Sequence, residues 1–317
     1  MSYPYAATIV LSLDEVFPHS IFLKFNQISM NVMITGASTG FGKLTADLLL
    51  EKRHTVVASM RNVNGKNKEV AAELTAKGAT IVELDVTDEV SVENAISEAI
   101  EKAGHIDAIF NNAGLGVLGI QETFTIEDWQ KVFEVNVFGV QRVNRAILPH
   151  FKSRGTGLLI YTSSLLGRMV LPFYGPYNAS KWALEAMAEN YRVELNPLGI
   201  DSCIVEPGGF PTDFFGNLLQ ASDAARAESY GPMKDSPKQL FDSFEGALAQ
   251  NELQKPSLVA EKVLELLEMP AGERPFRSPV DKMGMGDPIV GYNEQLENIM
   301  KGIYGNFGMD AMLNLNK

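Results

Sequence analysis

From Asn31 onward, short apolar runs alternate with stretches of helical periodicity. The runs Asn31–Thr35, Thr55–Ser59, Thr80–Glu83, Ala108–Asn111, Gly157–Thr162 and Ile200–Glu206 read as strands, and helical patterns begin near Gly40, Asn67, Val90, Ile126 and Pro176. Strands and helices that alternate through short connections predict the α/β class. The expected form is a doubly wound parallel sheet, Rossmann-like, in a single domain. After the sixth strand the pattern changes. Residues 212–255 form helical stretches broken at Gly231–Pro232 and near Pro237, with apolar clusters at Phe214, Phe215, Leu218 and Leu219 and at Phe241, Phe244 and Leu248. This insertion reads equally well as a lid over a site or as extra core packing. In the tail, Pro275–Val280 reads as a short strand and Pro288 to Ile303 as a helix, with 281–317 as a C-terminal tail. Met30 stands directly before the first strand, so residues 1–29 are expected to be an extension outside the core and 30–317 the domain itself.

Composition narrows the function classes. A chain of 317 residues with 45% hydrophobic residues can bury a large core. Its formal net charge of −12 opposes nucleic acid and anionic membranes as partners. No stretch approaches the roughly 20 apolar residues of a membrane helix. The apolar piece Ala6 to Leu13 lacks a basic leader and runs into Asp14 and Glu15, so no signal peptide is expected and the placement is read as cytoplasmic. The single cysteine, Cys203, lies in an apolar run and reads as a buried hydrophobe. Histidines 19, 54, 105 and 150 lack metal-ligand spacing, and no metal is expected.

The turn Thr35-Gly36-Ala37-Ser38-Thr39-Gly40-Phe41-Gly42 joins the first strand to the first helix. Glycines there let the backbone approach a pyrophosphate, and the helix N-terminus offers N–H donors. The spacing Gly-x3-Gly-x-Gly departs from the general dinucleotide fingerprint and resembles the short-chain dehydrogenase/reductase family. Further segments match that family in order. Asp85 and Val86 end the third strand, where the family holds adenine. Asn112, Ala113 and Gly114 end the fourth, beside the adenosine. Pro207, Gly208 and Thr212 follow the sixth, near the nicotinamide and diphosphate.

Tyr-x3-Lys occurs twice, at Tyr177/Lys181 and at Tyr230/Lys234. The second pair encloses Gly231 and Pro232, which disfavour the helix that would put both residues on one face. The first follows Pro176 at a helix start, so Tyr177 and Lys181 are expected on one face. Free tyrosine, with a pKa of about 10, is too weak an acid for exchange near neutrality, and an adjacent ammonium should lower it. In the family this lysine also bonds the nicotinamide ribose. The resemblance assigns substrate orientation to Ser164, thirteen residues before Tyr177, and a lysine-linked water to Asn136. Ser163 is rejected because alternation should point it to the other side.

The resemblance covers roughly residues 31 to 280 and implies an oxidoreductase that interconverts a carbonyl and an alcohol with NAD or NADP. It makes residues 212–255 a substrate-side insertion. NADP(H) is the expected choice. Met60 stands where an NAD site would carry an acidic residue, and Arg61 follows it. Ser38, Thr39 and Phe41 complete the cofactor set. Leu115, Leu165, Leu166, Met169, Phe173, Tyr174, Phe210 and Phe214 are the expected pocket residues and suggest an apolar substrate. The sequence leaves oligomeric state open, although family members pair through helices matching 126–150 and 176–196. Two other functions compete: a catalytically inactive nucleotide-sensing regulator on this fold, and a sugar-nucleotide epimerase or dehydratase. The retained Tyr177 and Lys181 disfavour the first. The glycine spacing and the Asn111-Asn112-Ala113-Gly114 segment disfavour the second.

Overall fold

Successive residues of the first strand face opposite ways. Met33 joins one apolar core, with Val57, Ile109, Leu159 and Ile204, while Val32 and Ile34 join another, with Val56, Phe110, Ile160 and Val205. A sheet covered on both faces needs unbroken apolar runs rather than alternation, which is how these strands read. The computed structural model describes residues 29–316. The proposed extension therefore lies, except for Ser29, outside the described residues.

Seven strands form one parallel sheet: β1 (Asn31–Thr35), β2 (Thr55–Met60), β3 (Thr80–Glu83), β4 (Ala108–Asn111), β6 (Gly157–Thr162), β7 (Ile200–Pro207) and β9 (Arg277–Val280), in the order β3-β2-β1-β4-β6-β7-β9. Two further strands, β5 (Val117–Leu118) and β8 (Leu219–Gln220), pair with each other in parallel. The helices are α1 (Gly40–Glu51), α2 (Lys68–Ala76), α3 (Glu89–Ala103), α4 (Ile126–Phe133), α5 (Val140–Arg154), α6 (Gly175–Leu195), α7 (Ala224–Glu228), α8 (Ser236–Ala249), α9 (Ser257–Glu268) and α10 (Gly286–Asn306). The chain winds outward from β1 through β3, then returns to β4 and winds the other way. That reversal opens a crevice beyond the carboxyl ends of β1 and β4, where doubly wound sheets hold ligands.

Five elements depart from expectation. Helix α9 was unread, yet Val259, Val263, Leu266 and Leu267 have helical spacing and are buried against the α1 side of the sheet. The last strand starts at Arg277 rather than Pro275, and α10 extends beyond both ends of its expected range. The β5–β8 ladder is too short to leave a periodic signal. It straps the segment after β7 onto the loop after β4 through Val117 opposite Leu219.

Candidate active site

A cavity of about 730 Å³ opens over the carboxyl ends of the strands, with the glycine turn at one end and Ser164, Tyr177 and Phe214 at the other. Its shape begins at Gly42, which does not line the cavity. A Cβ there would lie 2.3 Å from the Gly36 carbonyl oxygen and 2.5 Å from Asn112 Nδ2. Gly42 is thus packed closely against the Gly36 carbonyl and the Asn112 amide. Gly36, Ser38, Thr39, Gly40 and Phe41 do line the cavity. Gly40 has φ +53°, a left-handed conformation that turns the chain into α1. Among the described residues no side chain caps this helix at Thr39, so its first N–H groups remain available to an anion.

Asn112 locks the turn against β4. Its Nδ2 donates to the carbonyl oxygens of Thr35 and Gly36, both at 3.1 Å, while Thr35 Oγ1 accepts from the Asn112 and Ala113 N–H groups. Asp85, Val86, Gly114, Pro207, Gly208 and Thr212 line the same cavity. Arg61 lies at its rim with a 66% exposed side chain, and Met60 is buried beneath it. The sequence showed no carboxylate near Arg61, but the fold brings one. Asp85 Oδ2 stands 3.9 Å from Arg61 Nη1, because β2 and β3 are neighbours. Lys66, missed in the sequence, lines this rim as well. These features suit a dinucleotide: free helix N–H groups, a glycine turn that side chains would obstruct, and a basic rim.

At the other end, Lys181 is 4% exposed, and its Nζ donates to the Thr162 carbonyl at 2.8 Å. Burial pushes its pKa down from 10.5 to about 8, opposed by the negative charge of Glu185. Tyr177 is half-buried in the cavity wall, and crowding around its phenol pushes its pKa up to about 12, with the Ser164 hydroxyl opposing. The expected lowering by the lysine is not found. Lys181 Nζ lies 5.5 Å from the centre of the Tyr177 ring and is engaged by Thr162, so desolvation dominates. Ser164 Oγ accepts from the Leu166 N–H at 3.1 Å and contacts the Pro207 carbonyl at 3.4 Å. Ser163 Oγ is buried, with Gly167 packed against it.

Asn136 sits in a π-helical turn, Glu134–Gly139, between α4 and α5. Its Oδ1 accepts from the Leu115 N–H, and its Nδ2 donates to the Leu115 carbonyl and to Ser180 Oγ. Asn136 lies behind the cavity wall and splints the loop after β4 to α6. Gly114 packs between it and Lys181: a Cβ there would be 3.6 Å from Asn136 Oδ1 and 3.8 Å from Lys181 Nζ.

Tyr230 and Lys234 lie elsewhere, in an exposed 3-10 turn, with Tyr230 donating to Glu122 and Lys234 to Glu228. Of the expected pocket residues, seven line the cavity. Phe173 is the exception: it takes φ +71° and offers its carbonyl to the Gly119 N–H, which turns the chain there. Phe215, Leu240 and Phe244, from the segment after β7, join the wall. The Phe214 and Tyr177 rings meet at a tilt with centroids 5.9 Å apart, and Phe215 lies 5.4 Å from Phe241. Among the described residues no helix is long and apolar enough to cross a membrane.

The family described as short chain dehydrogenase matches residues 30–223. A 3-ketodihydrosphingosine reductase from Bacteroides thetaiotaomicron is 38% identical over 199 residues, 63% of this chain and 71% of that protein. An alcohol dehydrogenase from Thermococcus sibiricus, solved with 5-hydroxy-NADP, is 28% identical with a TM-score of 0.63, covering 80% of this chain and 96% of that one. A short chain dehydrogenase/reductase from Burkholderia phymatum, solved with NAD, is 25% identical with a TM-score of 0.69, covering 86% and 95%. The relatives thus include complexes with either nicotinamide cofactor. From the glycine turn to the segment after β7, this chain belongs to the short-chain dehydrogenase/reductase family of oxidoreductases.

Proposed function

We propose that this protein interconverts an apolar ketone or aldehyde and its alcohol, with NADP(H) as the preferred cofactor and Tyr177 as the proton-transferring residue. One observation carries the reading: Ser164, Tyr177 and Lys181 share a cavity wall with an aromatic cluster, while the helix N-terminus and Arg61 stand at the other end. A bound reduced nicotinamide would supply the hydride to the carbonyl carbon. Ser164 Oγ donates a hydrogen bond to the carbonyl oxygen and fixes its position. Tyr177 passes its phenolic proton to that oxygen as negative charge develops there. A phenol held near 12 is a weaker acid than free tyrosine, but it is protonated at neutral pH and can still protonate the more basic alkoxide oxygen that hydride addition creates. The Lys181 ammonium, 5.5 Å from the ring centre, offsets the phenolate that remains. Asn136 holds Leu115 and Ser180 in place behind them.

Arg61 supports the NADP(H) preference. At 3.9 Å its ion pair with Asp85 is loose and exposed, leaving the guanidinium free to turn to a 2′-phosphate. Phe214, Phe215 and Phe244 support an apolar substrate, since such a wall offers little to a charged one. The reductase name of the Bacteroides thetaiotaomicron relative fits reduction as the working direction.

The test is a screen of ketones, aldehydes and alcohols of increasing chain length with both cofactors. Turnover should rise with apolar length and be faster with NADPH. Tight cofactor binding without turnover of any carbonyl or alcohol would favour the nucleotide-sensing regulator instead.

A further inference from the structure

Beside the cavity, on the far side of the Ser164 turn, charged side chains are buried that the proposed chemistry does not use. Arg168 is 8% exposed, Glu185 1%, Glu206 0% and Asn293 7%. Arg168 Nε donates to Asn293 Oδ1 at 2.9 Å, and Asn293 Nδ2 donates to Glu206 Oε2 at 2.7 Å. Arg277, on β9, donates to Glu185 at 2.8 Å from below. Five elements meet here: the turn after β6, the end of β7, β9, α6 and α10.

Stability alone does not account for this cluster. Among the described residues Arg168 Nη2, Glu185 Oε1 and Glu206 Oε1 have no hydrogen-bond partner, and buried ions left short of partners cost free energy. The Arg168 to Glu185 and Arg168 to Glu206 approaches are also long, at 4.0 and 3.8 Å. Burial beside Glu185 pushes the Glu206 carboxyl well above its ordinary range. Replacing buried ion pairs by well-packed apolar residues is often neutral or stabilising.

What distinguishes the cluster is its attachments. Arg168 closes the short 3-10 turn that Ser164 begins, and its N–H bonds the Leu165 carbonyl at 3.0 Å. Glu206 directly precedes Pro207 and Gly208, which line the cavity, and Pro207 is the residue whose carbonyl Ser164 contacts. Among the described residues Asn293 hydrogen-bonds both sides, one through each polar atom of its amide. Helix α10, which supplies none of the cavity residues discussed above, is therefore fastened to both turns by a single side chain.

We propose that Arg168, Asn293 and Glu206 are positioning residues, through which α10 sets the distance between the substrate-orienting Ser164 turn and the Pro207–Gly208 turn. The role assigned to Ser164 rests on the functional reading above, whereas the geometric claim does not. A carbonyl must reach Ser164, Tyr177 and the hydride donor together, and small displacements of one turn against the other cost rate steeply.

The experiment uses the full-length protein with Asn293→Leu, a near-isosteric change that removes both bonds, and Arg168→Lys, which keeps the charge but loses the planar fork. Measurements are kcat, KM for the carbonyl, NADPH affinity without substrate, and a crystal structure of each cofactor complex. Asn293→Leu should lower kcat at least tenfold while NADPH affinity stays within threefold. The contact of Ser164 Oγ with the Pro207 carbonyl should lengthen or break. Arg168→Lys should retain more kcat than Arg168→Met. Wild-type kcat in Asn293→Leu, or loss of kcat only in step with loss of NADPH-binding protein, would overturn the proposal. If the wild type turned over no carbonyl, the functional reading would fail, and the positioning claim would stand or fall on the structure. An unchanged Ser164–Pro207 contact in Asn293→Leu would overturn it in either case.

Discussion

Lys181 donates to the main-chain carbonyl of Thr162 at 2.8 Å, while its Nζ lies 5.5 Å from the centre of the Tyr177 ring. The lysine is thus anchored to the sheet and stands off from the tyrosine. Its pKa, lowered to about 8, puts its charge at risk just above neutrality. The ammonium is the form that offsets a developing phenolate, and it is lost as pH rises through that value. Carbonyl reduction at saturating substrate should therefore fall as pH rises from 7 to 9. A flat profile across that range would show that the lysine charge does not assist the proton step.

Tyr177→Phe should abolish turnover, by a thousandfold or more, with NADPH affinity within a few-fold of wild type. Tyr230→Phe should leave turnover unchanged, because Tyr230 is engaged by Glu122 on the surface. Substantial activity in Tyr177→Phe would remove the tyrosine from the mechanism.

The same lysine carries a stability cost. Its folded value lies below the unfolded 10.5, so the unfolded chain binds this proton more tightly. That penalty is fully present below about pH 8 and is relieved as pH rises toward 10.5. A shift of this size is worth roughly 3 kcal/mol. Losing the bond to Thr162 gives back about 1 kcal/mol or somewhat more. Lys181→Met should be inactive yet melt at pH 7 no lower than wild type. A drop of many degrees would show that the Thr162 bond outweighs desolvation.

Gly42→Ala would force a Cβ against the Gly36 carbonyl oxygen and the Asn112 amide, both main supports of the turn. Cofactor affinity should fall more than tenfold, with a smaller loss of melting temperature. Unaltered affinity, measured by fluorescence titration, would mean that the turn can shift without consequence.

Cofactor choice can be tested at the rim. Wild type should favour NADPH in kcat/KM, and Met60→Asp/Arg61→Ala should lose most of that advantage. Equal use of the two cofactors by the wild type would reduce Arg61 to a surface charge paired with Asp85.

The sheet was legible because its strands are buried on both faces and read as unbroken apolar runs, as at Gly157–Thr162. The glycine turn and Tyr177/Lys181 were legible because local chain geometry alone requires them. Residues that meet only through the fold were not. Asp85 lies 24 positions after Arg61 yet stands beside it, because β3 pairs with β2. Asn293 reaches Arg168 across 125 positions and carried no local signal. Phe173 misled for the opposite reason: its neighbours Pro172 and Tyr174 line the cavity, but its own backbone turns away.

Thr212 and Phe214 stand two residues apart in the segment after β7. A Cβ at Gly40 would lie 3.9 Å from the Thr212 side chain, while the Phe214 ring lies tilted against Tyr177. Two residues of chain span at most about 7 Å, so what presses on one end is felt at the other. The β5–β8 strap anchors this segment just downstream and leaves it little slack. Were a ligand at Thr212 to shift the affinity for one resting on Phe214, thermodynamic linkage would make the effect equal in both directions. On the proposed function, a dinucleotide reaching Thr212 and a carbonyl compound resting on Phe214 would meet on one segment of three consecutive residues.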